Sequence, residues 1–459
     1  MREIASVRRS SYGPSSPTIG ERGARTRQAI LDASLALFAQ KGFHATLIDD
    51  IATRVGISRA ALYQYFASKE EIFTELAHTA GNDLIRVVRR LGPLGPTAQG
   101  FDNLHWWIGE WAWVQDKYAT MFVEWAKVDS PRTPMHSHIG DFVHSYAVRM
   151  TQRLTQADLN GLAPEGAALA ILAMMRRVNQ YRAMRMARGL PDEAVLDTLA
   201  VTVQLALFPD TAADVLALAD TGETTRRKVR VQHERSLDTV VHFESLEDRF
   251  SGRSERAMST IRRLLDAGGQ VIAERGFHAT SVEDILKRAS LGRGTFYKYF
   301  DDKLDLLQAQ AAEAAGAVVA LVDRFREIDG GIGDPAALRS WLSDFIACRQ
   351  RYAGVFRTWS DGEPRDDTLQ GLSRQVGCRH LRTFDVVLGS VERDYPFTVR
   401  AGSLVLMALL DQLVNYSVVS KHVVLTNEVL VDTLAAFIER GFLDTQAHLR
   451  PERSVGRDA

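Results

Sequence analysis

The pentapeptide Gly42-Phe43-His44-Ala45-Thr46 occurs a second time, unchanged, as Gly276-Phe277-His278-Ala279-Thr280. Around it, residues 30–73 align without a gap onto residues 264–307, an offset of 234, and 17 of the 44 aligned positions are identical. A period of about half the chain is too long for a solenoid, whose units run to roughly 20–50 residues. The chain therefore contains two copies of a whole domain.

The segment around the pentapeptide has the pattern of three helices. Apolar residues at helical spacing occur on both sides of it, at Ile30, Ala33, Leu37 and Phe38 and at Ile48, Ile51, Ala52 and Val55. Gly42 is placed to end the first helix, and Thr46-x-x-Asp49 predicts the start of the second. Gly56 allows a tight turn, and Ser58 is expected to cap the third helix.

The second copy differs at this turn. Ser290 replaces Gly56 and Gly292 replaces Ser58. We therefore expect that the turn glycine has moved along the chain, and that the cap of the third helix is weaker by a few tenths of a kcal/mol or so.

The repeat continues beyond this segment. An aromatic set recurs at the same offset of 234, namely Trp107, Tyr118, Phe122 and Trp125 in the first half and Trp341, Tyr352, Phe356 and Trp359 in the second. Strand patterns, with apolar residues at every second position, are nearly absent. We expect an all-α protein of two tandem units, each a helix-turn-helix domain followed by a helical body.

These patterns divide the chain into six segments. They are a disordered basic arm (1–23), a first helix-turn-helix domain (24–84), a first helical body (85–208), a linker rich in both charge signs (209–254), a second helix-turn-helix domain (255–315) and a second helical body (316–450).

The composition is that of an ordinary soluble protein, with 46% apolar and 25% charged residues. The two cysteines, Cys348 and Cys378, are too few for a disulfide framework and fit a reducing cytoplasm. We expect no signal peptide. We also expect no membrane span, because the longest apolar stretch, 404–419, is interrupted by Asp411 and Asn415. Since the net charge is −1, any attraction to nucleic acid must come from local basic patches.

The third helix of each copy has a basic and aromatic side. The copies read Ser58-Arg59-Ala60-Ala61-Leu62-Tyr63-Gln64-Tyr65-Phe66 and Gly292-Arg293-Gly294-Thr295-Phe296-Tyr297-Lys298-Tyr299-Phe300. With Leu62 and Phe66 inward, Arg59 and Tyr63 lie on the exposed side. A helix that enters the major groove of DNA needs donors on that side and small residues near its start. The tyrosines alone could be ordinary surface aromatics, but the recurrence of the arginine at fixed spacing favours DNA contact.

Each copy resembles the DNA-binding domain of the TetR family of bacterial transcriptional regulators, and the whole chain resembles two such regulators fused in tandem. The shared pattern is Gly-aromatic-x-Ala-Thr, a turn, and then Arg-Gly/Ala-x-aromatic-Tyr-x-Tyr/His-Phe-x-x-Lys. The first copy departs from it only mildly, with Ala60 in place of the usual glycine. The resemblance implies DNA contacts by Thr46, Ser58, Arg59, Ala60, Tyr63, Tyr65 and Lys69, and by Thr280, Arg293, Gly294, Thr295, Tyr297, Tyr299 and Lys303.

The two copies differ where base edges would be read. Gln64 in the first copy corresponds to Lys298 in the second. A glutamine pairs bidentately with adenine, whereas a lysine favours guanine or phosphate. We therefore expect an operator whose two halves differ, read by one chain that acts as a pseudo-dimer.

The aromatic sets have two interpretations. A stripe of aromatic residues at helical spacing is usually core packing, but the resemblance implies an apolar cavity for a small effector in the helical body. Such cavities suit lipids, acyl chains, sterols or aromatic compounds. The candidate pocket residues are Trp107, Trp111, Tyr118, Met121, Phe122, Trp125 and Arg177, and Trp341, Phe345, Tyr352, Phe356 and Trp359.

The resemblance also implies a dimer-like interface within the chain. It would pair the last two helices of each half, roughly 167–188 with 192–207 against 398–419 with 427–442. Further association of two chains stays open.

The sequence thus predicts a ligand-responsive regulator, with the repressor favoured over the activator, that binds a double-stranded DNA operator in the cytoplasm. One alternative is a small-molecule-binding scaffold or sequestering protein without a DNA function. An enzyme is the other, but no phosphate-binding loop, nucleophile elbow or paired carboxylate motif is found, and no cofactor is expected. A metal site is not favoured either, since the group His136, His138, Asp141 and His144 has no counterpart in the second half.

Overall fold

The computed structural model describes residues 21–122, 135–183, 186, 189–217, 243–329, 335–419 and 425–446. Within these ranges the chain forms nineteen α-helices and one π-helical turn, and no strand. The expectation of an all-α fold is confirmed. The predicted basic arm up to residue 20, and the linker from 218 to 242, lie outside the described residues.

The first half contains nine described helices. They are α1 (Glu21–Lys41), α2 (Ile48–Val55), α3 (Arg59–Leu62), α4 (Lys69–Arg89), α5 (Ala98–Lys117), α6 (Met135–Leu154), α7 (Pro164–Ala183), α8 (Asp192–Leu207) and α9 (Ala213–Leu216).

The second half contains the remaining helices among the described residues. They are α10 (Leu246–Arg249), α11 (Glu255–Arg275), α12 (Val282–Ala289), α13 (Arg293–Phe296), α14 (Lys303–Asp329), α15 (Pro335–Arg351), α16 (Ala353–Asp361), α17 (Asp367–Ser390), α18 (Val399–Val419), α19 (Asn427–Ala436) and the π-helical turn Phe437–Phe442.

The chain divides into two compact units that do not coincide with its two sequence halves. The first unit comprises Met1–Arg86 and Trp113–Phe142, and it contains the first helix-turn-helix. The second unit comprises Val87–Ala112 and Val143–Ala459, and it contains the second helix-turn-helix with most of both helical bodies.

Each helix-turn-helix has its own aromatic core. In the first unit, the rings of Phe38, Phe43 and Phe73 lie 5.2–6.0 Å apart, where α1, the following turn and α4 meet. In the second unit, Phe296 and Phe300 pack with the buried residues of α11 and α12. Phe250 directly follows α10, and its ring lies 5.7 Å from the Phe300 ring. These cores leave the third helices at the surface.

The centre of the second unit is a contact between the two halves of the sequence. Helices α7 and α8 pack against α18, α19 and the π-helical turn. Of the 20 residues of α7, 14 are buried, as expected of a helix enclosed on nearly all sides. At Gly441, an added Cβ would lie 2.6 Å from the Thr202 carbonyl oxygen, so the missing side chain permits this close approach. We call the packing of α7 and α8 against α18, α19 and the π-helical turn the four-helix contact.

Polar groups also join the halves. The Arg440 guanidinium donates hydrogen bonds to the carbonyl oxygens of Leu159 (3.2 Å) and Asn160 (2.9 Å) in the loop before α7. These bonds join the loop before α7 to the π-helical turn, so they stabilise the contact at its edge.

One described segment, Lys303–Arg326 in α14, has the length and apolar character of a membrane-crossing helix. Half of it is buried inside the protein, and core helices of soluble proteins commonly share these properties.

Candidate nucleic-acid interface

The third helices, α3 and α13 with the turns that follow them, alternate between exposed and buried residues in the same order. Leu62, Phe66, Phe296 and Phe300 are buried, as the sequence predicts. The outer side is exposed in both copies, at Ser58, Arg59, Ala60, Tyr63 and Gln64 and at Gly292, Arg293, Gly294, Tyr297 and Lys298. Thr295, Tyr65 and Tyr299 are half-buried. Most of the predicted contact residues therefore share one accessible surface in each copy.

The two outer tyrosines are large aromatic side chains that the core does not use. Tyr63 is 42% exposed and Tyr297 is 52% exposed. The Tyr63 hydroxyl lies 3.4 Å from a guanidinium nitrogen of Arg59. An exposed phenol next to a guanidinium offers both hydrogen-bond donors and an apolar ring to a nucleic acid.

The two arginines have matching acidic partners on the preceding helix. Arg59 lies 3.3 Å from an Asp49 carboxylate oxygen, and Arg293 lies 3.3 Å from a Glu283 carboxylate oxygen. All four side chains are 60–72% exposed, so solvent screens each pair and the pairs add little to stability. The pairs hold the guanidinium groups across the outer side without committing them to the fold.

The glycines of α13 and its cap are not required by packing. A Cβ added at Gly292 or Gly294 meets no atom within 4 Å among the described residues. Gly292 has a φ of −79°, which every residue type adopts. The absent side chains instead leave room for a ligand to approach the backbone.

Thr46 and Thr280 are placed differently from the expectation. Both are buried, at 0% and 2% exposure. Each hydroxyl donates a hydrogen bond of 2.8 Å to a carbonyl oxygen, that of Gly42 or Gly276. Their side chains hold the turn before the second helix, and DNA contact by these two residues stays a prediction.

Lys69 and Lys303 also serve the fold. The Lys69 ammonium donates to the carbonyl oxygens of Phe43 (2.6 Å) and Thr46 (2.9 Å), and lies 4.4 Å from the centre of the Phe43 ring. The Lys303 ammonium makes the equivalent bonds, both of 2.8 Å. Burial lowers the pKa of both lysines. These bonds tie α4 and α14 to the preceding turns, and the phosphate contact by the two lysines stays a prediction.

The cap of the second helix is also not where the sequence predicted it. In the first copy the N-cap is Leu47, and the Asp50 carboxylate accepts from its backbone nitrogen at 3.1 Å. In the second copy, Ser281 and Asp284 form a complete capping box, and their hydrogen bonds lower the pKa of Asp284. The cap predicted from Thr46-x-x-Asp49 therefore lies one residue before the observed cap, because the Thr46 side chain points into the protein.

The expectation that the turn glycine moved in the second copy is wrong. Ser290 itself adopts the left-handed conformation, with φ 52° and ψ 50°, where Gly56 has φ 76° and ψ 33°. A non-glycine residue pays a steric cost there, since its Cβ approaches the carbonyl oxygen.

Replacing Ser290 with glycine is therefore expected to raise the local stability of α12 by about 0.5–1 kcal/mol, the steric relief less the entropy that glycine adds to the unfolded chain. Hydrogen exchange of the α12 and α13 amides measures this. Gly56→Ser is the mirror control and should speed exchange in α2. Slower exchange with serine at either position would contradict the assignment.

The predicted aromatic pocket residues belong mostly to the core. The Trp111 ring lies 5.7 Å from Trp107 and 5.1 Å from Tyr146, and Trp341 stacks on Phe345 at 5.1 Å. In the first unit, the Tyr118 hydroxyl donates to Asp83 at 3.0 Å. Buried Met121 and Tyr352 and half-buried Phe122 line no described cavity, and Trp125 lies outside the described residues.

The second unit does contain a cavity of about 110 Å³, which we call the charged cavity. Of the predicted pocket residues, Arg177, Phe356 and Trp359 line it. Arg349, Asp411 and His380 complete its polar side, and sequence reasoning assigned none of them to a pocket. A cavity is therefore present in the second unit, but residues of both sequence halves form it, and its lining combines apolar surface with charged side chains.

The polar side is an ion-paired network. An Arg349 guanidinium nitrogen lies 3.0 Å from an Asp411 carboxylate oxygen, and the Tyr181 hydroxyl donates to the other oxygen at 2.8 Å. Arg177 adds a nitrogen 3.7 Å from Asp411. Burial alone would raise the pKa of Asp411, but the two arginines hold it below its ordinary value. The carboxylate therefore stays ionised.

Helix α16 separates the charged cavity from the second helix-turn-helix. Phe356 and Trp359 line the cavity, while the Arg357 guanidinium donates to the Ala273 carbonyl oxygen of α11 at 2.7 Å. At Gly354, an added Cβ would collide with the Gly269 carbonyl oxygen, so α16 and α11 are in close contact. One short helix thus touches both the cavity and the first helix of that domain.

The histidine group considered as a metal site falls only partly within the described residues. The side chains of His136 and His138 are outside the described residues, and no group of three metal-binding side chains occurs in the part of the chain that the structure describes. The absence of a metal stays a prediction.

Comparison with known proteins matches both helix-turn-helix segments to one family. The family model described as bacterial regulatory proteins, tetR family, matches residues 30–76 and 264–309. The chain is 36% identical over 90 residues to the HTH-type transcriptional repressor KstR2 of Rhodococcus jostii (strain RHA1), covering 20% of this chain and 41% of that protein. It is 43% identical over 51 residues to the HTH-type transcriptional regulator AcrR of Shigella flexneri, covering 11% of this chain and 24% of that protein.

The chain thus spans less than half the length of these curated relatives. A solved structure, the TetR family transcriptional regulator PfmR from Thermus thermophilus, matches 35% of this chain and 98% of its own at 23% identity, with a TM-score of 0.27. Both helix-turn-helix segments of this chain belong to the tetR family of bacterial regulatory proteins, and the chain carries them in tandem.

Proposed function

We propose that the protein is a sequence-specific DNA-binding transcriptional regulator of the bacterial cytoplasm, and a repressor in the simplest case. The observation that carries this proposal is the matching outer side of α3 and α13. An arginine and a tyrosine recur there at the same offset, exposed and unused by packing. Groove-reading helices need these groups at these positions.

The four-helix contact supports an intrachain pseudo-dimer. It joins the last helices of the first half to those of the second, as two subunits would be joined in a homodimer. Because Gln64 and Lys298 differ, the two reading helices prefer different bases. The operator is then asymmetric, and one chain reads both of its halves.

The proposed regulator responds to a small molecule through α16. The helix lines the charged cavity with Phe356 and Trp359 and bonds to α11 through Arg357. A ligand shifts DNA affinity only if it binds two arrangements of the protein with different affinities. A change in the position of α16 would supply that difference.

In vitro selection from a random duplex library, followed by a salt titration, tests the proposal. We expect a non-palindromic site, with a log–log slope of about −0.9 for each phosphate neutralised. A strict palindrome would refute the asymmetric reading. Weak binding without salt dependence would instead favour the alternative, a small-molecule-binding protein without a DNA function, for which the charged cavity is the supporting observation.

A further inference from the structure

The two halves have diverged at the charged cavity. At the offset of 234, Arg349 corresponds to Gln115 and His380 corresponds to Tyr146. The offset grows to 235 in the last helices, where Asp432-Thr433-Leu434-Ala435 repeats Asp197-Thr198-Leu199-Ala200, so Asp411 corresponds to Arg176. Arg349, His380 and Asp411 therefore have no counterparts of the same residue type in the first half of the sequence.

The charges that line the cavity do not balance. Arg177 and Arg349 face the single carboxylate of Asp411. The nearby Asp361 does not line the cavity, and it pairs with Arg357 at 3.4 Å. One positive charge is left over on side chains that are at most 9% exposed. A buried surplus charge is costly unless an opposite charge meets it.

Donors remain available on the same arginines. The Nε atoms of Arg177 and Arg349 are buried and meet no hydrogen-bond partner among the described residues. Arg177 spends one terminal nitrogen on Gln180 at 2.7 Å, and its other lies 3.7 Å from Asp411. Both terminal nitrogens of Arg349 already donate, to Asp411 and Asn415, so its Nε is the nitrogen left for a ligand. Guanidinium donors are suited to a carboxylate.

His380 supplies the complementary acceptor. Its Nδ1 lies 2.7 Å from the Val376 carbonyl oxygen, so Nδ1 carries the hydrogen and Nε2 is the bare nitrogen. Burial lowers the pKa of His380, which keeps the ring neutral. The Nε2 atom is buried without a partner among the described residues. A ligand that satisfies it must donate a hydrogen bond.

The remaining wall limits the size and shape of the ligand. Phe356, Trp359 and Met407 line the cavity with apolar surface. A dry cavity of roughly 150 Å³ holds benzene, so a cavity of about 110 Å³ accepts a molecule smaller than benzene, such as a short aliphatic hydroxy acid.

We propose that the charged cavity binds one small organic anion per chain, a hydroxy acid whose carboxylate meets Arg349 and Arg177 and whose hydroxyl donates to His380. Arg177 comes from α7 in the first half, so a single ligand is held by both halves of the sequence. This inference rests on the proposed ligand response and names its effector class.

Isothermal titration calorimetry without DNA tests the proposal on the full chain. The probes are glycolate, lactate and 3-hydroxypropionate, with acetate, propionate and the three corresponding hydroxy amides as matched controls. At least one of these hydroxy acids is expected to bind at a stoichiometry of one per chain. Losing the hydroxyl or the charge should weaken binding about tenfold or more, since each removes a bond to a buried group.

A pair of glycine substitutions in α17 supplies the control on location. Gly377 lines the cavity, Gly371 does not, and an added Cβ meets no described atom within 4 Å at either. Gly377→Met should fill the cavity and abolish binding, whereas Gly371→Met should leave it unchanged.

No binding of any of the three hydroxy acids at millimolar concentration, two ligands per chain, equal binding of the amides, or binding that survives Gly377→Met would each overturn the proposal. Because DNA is absent, these failures leave the proposed operator binding untouched, and a loss of operator binding leaves the calorimetry unaffected.

Discussion

A chain with both Arg59→Ala and Arg293→Ala is expected to lose about 2–6 kcal/mol of operator-binding free energy, which is about 30-fold to more than 10⁴-fold in affinity. Each arginine that reads a guanine contributes about 1–3 kcal/mol. Among the described residues, the polar partners of these guanidinium groups are exposed acids on the preceding helix and, for Arg59, the exposed Tyr63, so the fold should be unchanged. Fluorescence anisotropy on the selected operator measures the loss.

The matched control is Arg54→Ala with Arg288→Ala. These arginines also correspond at the offset of 234, lie on α2 and α12, and contact Gln40 and Glu274 of the first helices. The control removes the same two charges, so it reports the general electrostatic effect on DNA binding. If both double variants lost affinity equally, α3 and α13 would not be the reading helices.

Replacing Asp411 with alanine is expected to destabilise the second unit by about 3–5 kcal/mol, because it leaves Arg349 and Arg177 without a counter-charge. The Asp411 side chain is 17% exposed and that of Arg349 is 4% exposed, so water cannot replace the carboxylate fully. The Tyr181 hydroxyl also loses its acceptor. Urea unfolding measures the loss in the free energy of unfolding, and hydrogen exchange of the α7 and α18 amides measures the loss locally.

Two further variants test whether loss of the counter-charge causes the destabilisation by Asp411→Ala. Asp344→Ala breaks a pair with Arg324 in which both side chains are about half exposed, and it should cost about 1 kcal/mol or less. Arg177→Met and Arg349→Met combined with Asp411→Leu remove all three charges of the buried network and should restore much of the loss. A loss as small for Asp411→Ala as for Asp344→Ala would show that the network is not stabilising.

The repeat and its helical spacing predict the all-α fold and the exposed sides of α3 and α13. Inward Leu62 and Phe66 determine which neighbours are exposed, since the helical period is fixed. Spacing does not reveal whether a polar side chain bonds to the backbone. For this reason the sequence assigns Thr46 and Lys69 to DNA, although their partners are carbonyl oxygens of the preceding turn.

The charged cavity is harder to predict because its residues come from distant segments. Arg349, His380 and Asp411 lie on three helices, and Arg177 comes from the other half. The available signal is an aspartate in the apolar stretch 404–419, since a charge inside an apolar helix needs a partner. That signal shows that a partner exists, but not which residue it is.

The four-helix contact lies within a single polypeptide, and this alters how the protein behaves at low copy number. Two separate subunits part on dilution, whereas tethered halves meet at an effective concentration fixed by the chain. Promoter occupancy should therefore rise in direct proportion to the first molecules synthesised, without the threshold that assembly from two subunits imposes.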